Sequence, residues 1–227
     1  MESKIKKSRL VWDLPVRLFH WLLVLAIAAQ WYTGEQGDTW LEWHFYIGYF
    51  TLGLILFRVV WGFCGTRYAL FSEFLVSPGK ALKSLKDKSS QFIGHTPLGG
   101  YMTVLLLVVI FLQAMSGLFT SDEIFTDGPW RSVISGDYQE LADWAHGNLF
   151  TVIQVAVALH IAAAFYYLII KKQNLIRAMI DGKKSISKDK TITSSKLWLA
   201  LLLLLLVTGV VLSLIYFAPE VQMDDYF

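Results

Sequence analysis

Apolar residues in this chain neither alternate with polar ones nor recur in a single stripe. They come in blocks: residues 18–33, 43–63, 100–120, 144–170 and 197–217. Each block is about as long as a helix needs to cross a hydrocarbon layer roughly 30 Å thick. That layer holds no water to pair loose backbone groups, so only helices fit blocks this long without alternation. The pattern predicts an all-α integral membrane protein with five spans. A hydrophobic fraction of 55% and a mean hydropathy of +0.49 leave the same reading. The basic N-terminus followed by an apolar run has the outline of a secretory leader, but His20, Trp21 and further bulky residues interrupt it, and the first helix is expected to stay.

Charge then gives the spans a direction. Of the 20 lysines and arginines, all except Arg131 fall before the first span, at the end of the second, or in the second and fourth loops. Such a bias makes that side cytoplasmic. The predicted protein is therefore multi-pass in a bacterial cytoplasmic membrane, with its N-terminus inside and its C-terminus in the periplasm. Glu35, Asp38, Glu42, Asp122, Glu123, Asp127, Asp137, Glu140, Asp143, Glu220, Asp224 and Asp225 map to the outer side. They are either tolerated where bases are excluded or form a docking surface for a basic partner. The net charge of +2 hides this polarity. The basic segments read as topology signals and contacts to anionic lipid, not as a nucleic-acid surface. The single cysteine, Cys64, excludes a disulfide framework, and the chain has no C-x-x-C-H for covalent haem attachment.

The candidate chemistry lies in the histidines. His146 and His160 share one block, fourteen residues apart. At about 100° and 1.5 Å per residue, a helix returns to within roughly 40° of its starting direction over that spacing, about 21 Å further on. Both imidazoles leave one face, near opposite ends of the span. His20 lies near the inner end of the first span and His44 near the outer end of the second. The topology came from lysines and arginines alone, yet it sorts the four into two pairs by depth: His20 with His160, and His44 with His146. A haem lying edge-on between helices takes one axial nitrogen from each side, and two such pairs hold two stacked haems. The other reading of intramembrane histidines, a haem-free proton relay or transporter, stays open. Gly48, one turn below His44, leaves room for a flat ring. The third span, with only Gln113, Ser116 and threonine as polar groups, reads as scaffold. His95 reads as a turn residue and Asp13–Arg17 as an interfacial ion pair. Residues 71–85 read as an amphipathic surface segment started by Ser77-Pro78. The last span reads as a lipid-facing appendage.

Several stretches carry a resemblance. The run Val11-Trp12-Asp13-Leu14-Pro15-Val16-Arg17-Leu18-Phe19-His20-Trp21 resembles the opening of the prokaryotic cytochrome b561 family, which includes the cytochrome b subunits of nickel-iron hydrogenases. His44 with Gly48-Tyr49, Phe57-Arg58 with Trp61-Gly62, the turn Gly94-His95-Thr96-Pro97-Leu98-Gly99-Gly100, and Asn174-Leu175-Ile176-Arg177-Ala178-Met179 are similar too. The likeness runs over residues 10–184. It implies a four-helix bundle with two non-covalent b-type haems, histidine ligands at positions 20, 44, 146 and 160, and electron exchange between membrane quinone and a redox partner. The chain departs from the family pattern at Thr96, where asparagine is usual, at Gly147, where glutamate is frequent, and at Lys171-Lys172, where a His-Arg pair is frequent.

The expectation is thus a four-helix transmembrane haem-binding bundle over 1–184 with one appended transmembrane helix in 185–227. Bis-histidine coordination at His20, His44, His146 and His160 closes both axial positions of each iron, so the metal can only change oxidation state. The expected protein is an electron-transfer subunit of a quinone-linked oxidoreductase. It relays between quinone or quinol and a periplasmic partner, either a c-type cytochrome or a hydrogenase-like dehydrogenase. An alternative is a self-sufficient quinone-linked oxidoreductase that uses a diffusible oxidant such as superoxide. Arg17 and Arg58, and less directly Arg67, are candidates for the haem propionates, since carboxylates near a membrane need counter-charges. Asp13 and His95 are nominated for the quinone on the inner side.

Overall fold

The computed structural model describes residues 7–86, 92–121, 127–186 and 190–219. It contains helices α1 (Leu14–Glu35), α2 (Leu41–Cys64), α3 (Phe71–Phe74), α4 (Pro78–Lys86), α5 (Pro97–Ser116), α6 (Gly136–Ile169), α7 (Leu175–Asp181) and α8 (Leu197–Tyr216), with two short strands, β1 (Lys7–Leu10) and β2 (Lys183–Ile186). Five helices, α1, α2, α5, α6 and α8, are long and apolar enough to cross a membrane. Their flanks expose leucine, valine and aromatic side chains such as Leu25, Phe63, Val108, Val155 and Leu205, as expected of surfaces that face lipid tails.

Helix α2 is the centre. It packs against α1, α5 and α8, while α6 packs on α5. Phe19, Ile55, Leu107, Ile110 and Ile153 fill the middle of the bundle. A second cluster gathers Val11, Trp12, Phe57, Trp61, Tyr68, Val207 and Val211 at the end of the molecule rich in lysine and arginine, here the basic end. Helix α8 is therefore more than a lipid-facing appendage: Val207 and Val211 are buried and lie over Gly53 of α2. Lys196 Nζ donates to the carbonyls of Cys64 and Gly65, at 3.0 and 2.6 Å. Near the other end of α8, Trp130 Nε1 donates to the Leu214 carbonyl.

Local chemistry explains where the helices start. Thr96 caps α5 by accepting from the Gly99 amide, with Pro97 as first residue, and Asn174 caps α7 by accepting from Arg177; both side chains satisfy amides that a helix start leaves orphaned. Helix α7 ends at Gly182, whose φ of +77° suits glycine. The Gly182 carbonyl then accepts from the Val11 and Trp12 amides, and β1 pairs antiparallel with β2. The apolar-block pattern held no sign of this two-stranded ribbon, because four-residue strands in a basic stretch have no periodicity to read. The segment after α2 is also not one amphipathic helix. It breaks at Leu75, and Phe71 turns inward to lie against Gly62, where a Cβ would meet its ring at 2.1 Å.

Asp13 corrects the sequence reading most. No ion pair joins it to Arg17, whose Nη1 donates instead to the Ile180 carbonyl at 2.7 Å. The Asp13 side chain is buried, with 1% of its surface exposed. It caps α1 by accepting from the Val16 amide at 2.7 Å, and also accepts from Trp61 Nε1 at 3.3 Å and from the Thr66 hydroxyl. One carboxylate therefore ties the start of α1 to the end of α2. Replacing it with alanine removes a helix cap and strands two buried donors, each of which costs on the order of 1–3 kcal/mol. We expect Asp13→Ala to lose about 3 kcal/mol of stability, measured as a lowered unfolding midpoint in detergent; a loss under about 1 kcal/mol would contradict the role assigned to this carboxylate.

Candidate functional site

The four membrane histidines form two facing pairs. His20 of α1 and His160 of α6 have ring centres 6.4 Å apart; His44 of α2 and His146 of α6 have theirs 6.3 Å apart. Neither pair stacks or shares a hydrogen bond. Two imidazoles bound to one metal through bonds of about 2 Å, with each ring centre roughly 1.1 Å behind its nitrogen, stand about 6 Å apart. Both separations fit such a shared metal. Among the described residues, no group of three or more histidine, cysteine or carboxylate ligands comes together, so the arrangement is two-ligand pairs, suited to a metal that a macrocycle already holds in its plane.

The His44–His146 pair lines a cavity of about 460 Å³ between α1, α2, α5 and α6, walled by Ile27, Phe45, Ile110, Phe150 and Ile153 with glycines at 34, 48 and 117. The glycines make the site possible. A Cβ on Gly117 would meet His146 Cε1 at 2.8 Å, and one on Gly34 would meet His44 Cε1 at 3.3 Å. At Gly48 the nearest obstacle would be Gln30 Nε2 at 3.1 Å. A flat, largely apolar ligand fits these walls.

Polar side chains from the neighbouring helices hold the two rings. Thr33 Oγ1 lies 3.1 Å from His44 Nδ1, and Gln30 Nε2 donates to the His44 carbonyl at 2.9 Å. On the other side His146 Nδ1 lies 3.1 Å from the Gln113 carbonyl and 3.2 Å from Ser116 Oγ, and Gln113 Nε2 donates to the His146 carbonyl at 2.9 Å. Helix α5, read as scaffold from its composition, thus supplies two side chains to the site. Gln30 and Thr33 were missed altogether. The available signal was their spacing from a glycine one turn on, which recurs at Gln113, Ser116 and Gly117.

At the basic end the predicted arginines differ. Arg58 is buried, with 2% of its surface exposed; Nη2 donates to the Ala69 carbonyl at 3.2 Å, its guanidinium lies over the Phe71 ring, and Nη1 has no partner among the described residues. Among the same residues Arg17 Nε also has none. Arg67 is already engaged, paired with Glu73 at 3.3 Å. His95 is no surface turn residue. Its ring packs edge-on to Trp12 at 4.7 Å and against Phe74 at 4.2 Å, and its buried Nδ1 has no partner among the described residues. Burial, with help from the positive charges of Arg58 and Lys184 and from His160, pushes its imidazole down to about 3. Lys184 donates to the Phe92 and Gly94 carbonyls, and burial pushes it down to about 8. Asp13 is buried and accepts from three donors within the protein.

At the opposite end, the acidic end, Asp143 accepts from both Arg131 Nη1 at 2.8 Å and Nη2 at 3.1 Å. Asp122, Glu123, Glu220, Asp224 and Asp225 lie outside the described residues.

Comparison with known proteins supplies the context. The model of a family described as prokaryotic cytochrome b561 matches residues 11–182. The chain is 23% identical to a protein of Cupriavidus necator named a probable Ni/Fe-hydrogenase B-type cytochrome subunit, over 81% of this chain and 89% of that one. It is 23% identical to a protein of the same name from Azotobacter vinelandii, over 83% and 94%. It is 26% identical to the probable Ni/Fe-hydrogenase 1 B-type cytochrome subunit of Escherichia coli K12, over 78% and 91%. No solved structure matches the chain.

The buried state of His95 predicts a pH dependence. Its imidazole titrates at about 3 in the folded protein against an ordinary value of 6.5. Between those values the unfolded chain binds the extra proton, so stability falls as pH is lowered through the window, by up to about 1.4 kcal/mol per pH unit for one proton. We expect the wild-type unfolding midpoint to drop more steeply than that of His95→Gln between pH 6.5 and 4.5; parallel slopes would mean that His95 already carries its proton when folded.

Proposed function

The chain belongs to the prokaryotic cytochrome b561 family, and from that premise we propose that this multi-pass membrane cytochrome of b type is a dihaem carrier passing electrons between the quinone pool and a redox partner at its acidic end. The observation that carries the reading is the pair of histidine pairs. Two sites of the same width stand at two levels of one bundle and share α6, on which His146 and His160 lie fourteen residues apart. Bound haem would supply a one-electron iron couple at each level.

The protein's own part is to hold, insulate and connect. His20 with His160, and His44 with His146, would hold the iron of one haem each between two imidazoles. Arg58 Nη1 and Arg17 Nε, both buried and without a partner among the described residues, are assigned to the propionates of the group nearer the basic end. The quinone contact is assigned to the same end, beside His95, where the flanking Trp12 and Phe74 rings suit a flat headgroup. Asp13, buried and turned to its three donors, is not assigned that role. The bias of lysine and arginine places the basic end in the cytoplasm and the acidic end in the periplasm of a bacterial inner membrane. The names of the relatives favour a nickel-iron hydrogenase as the partner docked there. In this reading the haem-binding unit is residues 1–184 and the segment 185–227 is an added element.

The test is a reduced-minus-oxidised visible spectrum and a haem count on purified protein. The wild type is expected to hold two haems per chain that quinol reduces. His160→Ala and His20→Ala are each expected to lose one and the same haem, and His44→Ala and His146→Ala the other. A haem-free wild type would leave the proton-relay reading in its place, and a His160→Ala protein with two full-occupancy haems would overturn the pairing.

A further inference from the structure

The polar residues around His44 and His146 repeat. Gln30, Thr33 and Gly34 on α1 stand in the order Gln-x-x-Thr-Gly, and Gln113, Ser116 and Gly117 at the end of α5 stand in the order Gln-x-x-Ser-Gly. Each set addresses the histidine of the next long helix in three equivalent ways. The glutamine donates Nε2 to that histidine's backbone carbonyl, at 2.9 Å in both cases. The hydroxyl meets its Nδ1, at 3.1 and 3.2 Å. The glycine leaves the space its ring occupies. The two sets reach forward by different lengths of chain, 14 residues from Gln30 to His44 and 33 from Gln113 to His146, so the agreement does not come from a common loop.

The hydrogen bonds also bear on which nitrogen carries the proton. A hydroxyl has one hydrogen. That of Thr33 has acceptors on its own helix, the carbonyls of Ala29 and Gln30 at 2.9 and 3.2 Å; that of Ser116 has the Gln113 carbonyl at 2.9 Å. With those bonds made, each oxygen faces its imidazole with a lone pair, and the Gln113 carbonyl, which can only accept, faces the same His146 nitrogen at 3.1 Å. Gln113 Nε2 also lies 3.3 Å from His146 Nδ1, but it already donates to the His146 carbonyl at 2.9 Å; the accepting oxygens favour, at both histidines, the tautomer with the proton on Nδ1 and a bare Nε2. His20 differs: its buried Nδ1 has no partner among the described residues.

We propose that the two Gln-x-x-Ser/Thr-Gly segments are a duplicated positioning device that fixes both histidines of the acidic-end pair as Nε2 donors and, by accepting their Nδ1 protons, lowers the reduction potential of the metal between them. The inference rests on the dihaem reading above. A ligating imidazole that donates its second N–H to an acceptor becomes more basic, and a more basic ligand favours the oxidised metal. Thr33, Ser116, Gln30 and Gln113 are positioning residues, acting through the histidines.

Thr33→Val keeps the shape of the side chain and removes the acceptor. Redox titration of the purified holoprotein, with the acidic-end couple identified as the one missing in His44→Ala, is expected to show that couple shifted upward in Thr33→Val. The expected size is about a tenfold change in the reduced-to-oxidised ratio at fixed potential, about 59 mV for one electron, with the other couple unmoved. Transfer of haem to an excess of apomyoglobin is expected to quicken about tenfold at that site alone. Thr33→Ser is expected to restore both values, and Ser116→Ala to shift the same couple in the same direction by less, because the Gln113 carbonyl still accepts. Wild-type protein without two haems would sink the parent reading. Two haems with neither potential nor retention altered by Thr33→Val, or with both couples moved equally, would sink this proposal and leave the parent reading standing.

Discussion

Imidazoles whose ring centres stand more than 6 Å apart share no hydrogen bond to hold them together, and a helix bundle in lipid closes on itself wherever it can. The separation of α6 from α1 and α2 along the histidine faces must therefore be imposed from elsewhere. It comes from contacts on the remaining sides: α1 on α2, α2 on α5 and α5 on α6, so that α6 is positioned chiefly through α5. The Asp13 carboxylate fastens the first of these contacts at the basic end by binding groups of both helices. Small residues at 34, 48 and 117 keep the acidic-end site from filling with side chains. Width along one seam is thus set by tightness along the other three.

Much of this arrangement was legible in the sequence. Helices of membrane length follow from block lengths, and the pairing of histidines by depth follows from the positive-inside bias combined with an alternating path. His20 faces His160 and His44 faces His146, as that argument required. Depth along a span is a one-dimensional quantity that residue order can supply. What the sequence hid depends on which way a side chain turns. Thr33 and Ser116 look like ordinary helix hydroxyls bonded to their own backbone, and they are so bonded; only the second face of each oxygen meets a histidine. Asp13 is four residues from Arg17, which suggests a pair, yet a helix cap needs its carboxylate turned toward Val16 and leaves Arg17 pointing to α7. His95 sits in a glycine-rich turn that reads as surface, and its ring is partly enclosed because Trp12 and Phe74 pack against it.

The two ends of the molecule also manage charge differently. At the acidic end, the lone basic residue of that side, Arg131, is spent within the chain, gripping Asp143 with two nitrogens and lying 3.6 Å from Asp127. At the basic end, several positive groups are set into the protein with backbone carbonyls as their partners, as at Arg58, Arg17, Lys184 and Lys196. Carbonyl oxygens stabilise a cation without neutralising it, so the basic end keeps its positive charge.

The ribbon of β1 and β2 joins residue 7 to residue 186, and the Leu10 carbonyl also accepts from Ile192. A strand at residue 7 and a mate some 180 positions behind it cannot meet until the four spans between them have left the ribosome. During synthesis β1 must therefore wait unmated while those helices enter the bilayer, and the clasp that shuts the basic end forms after them.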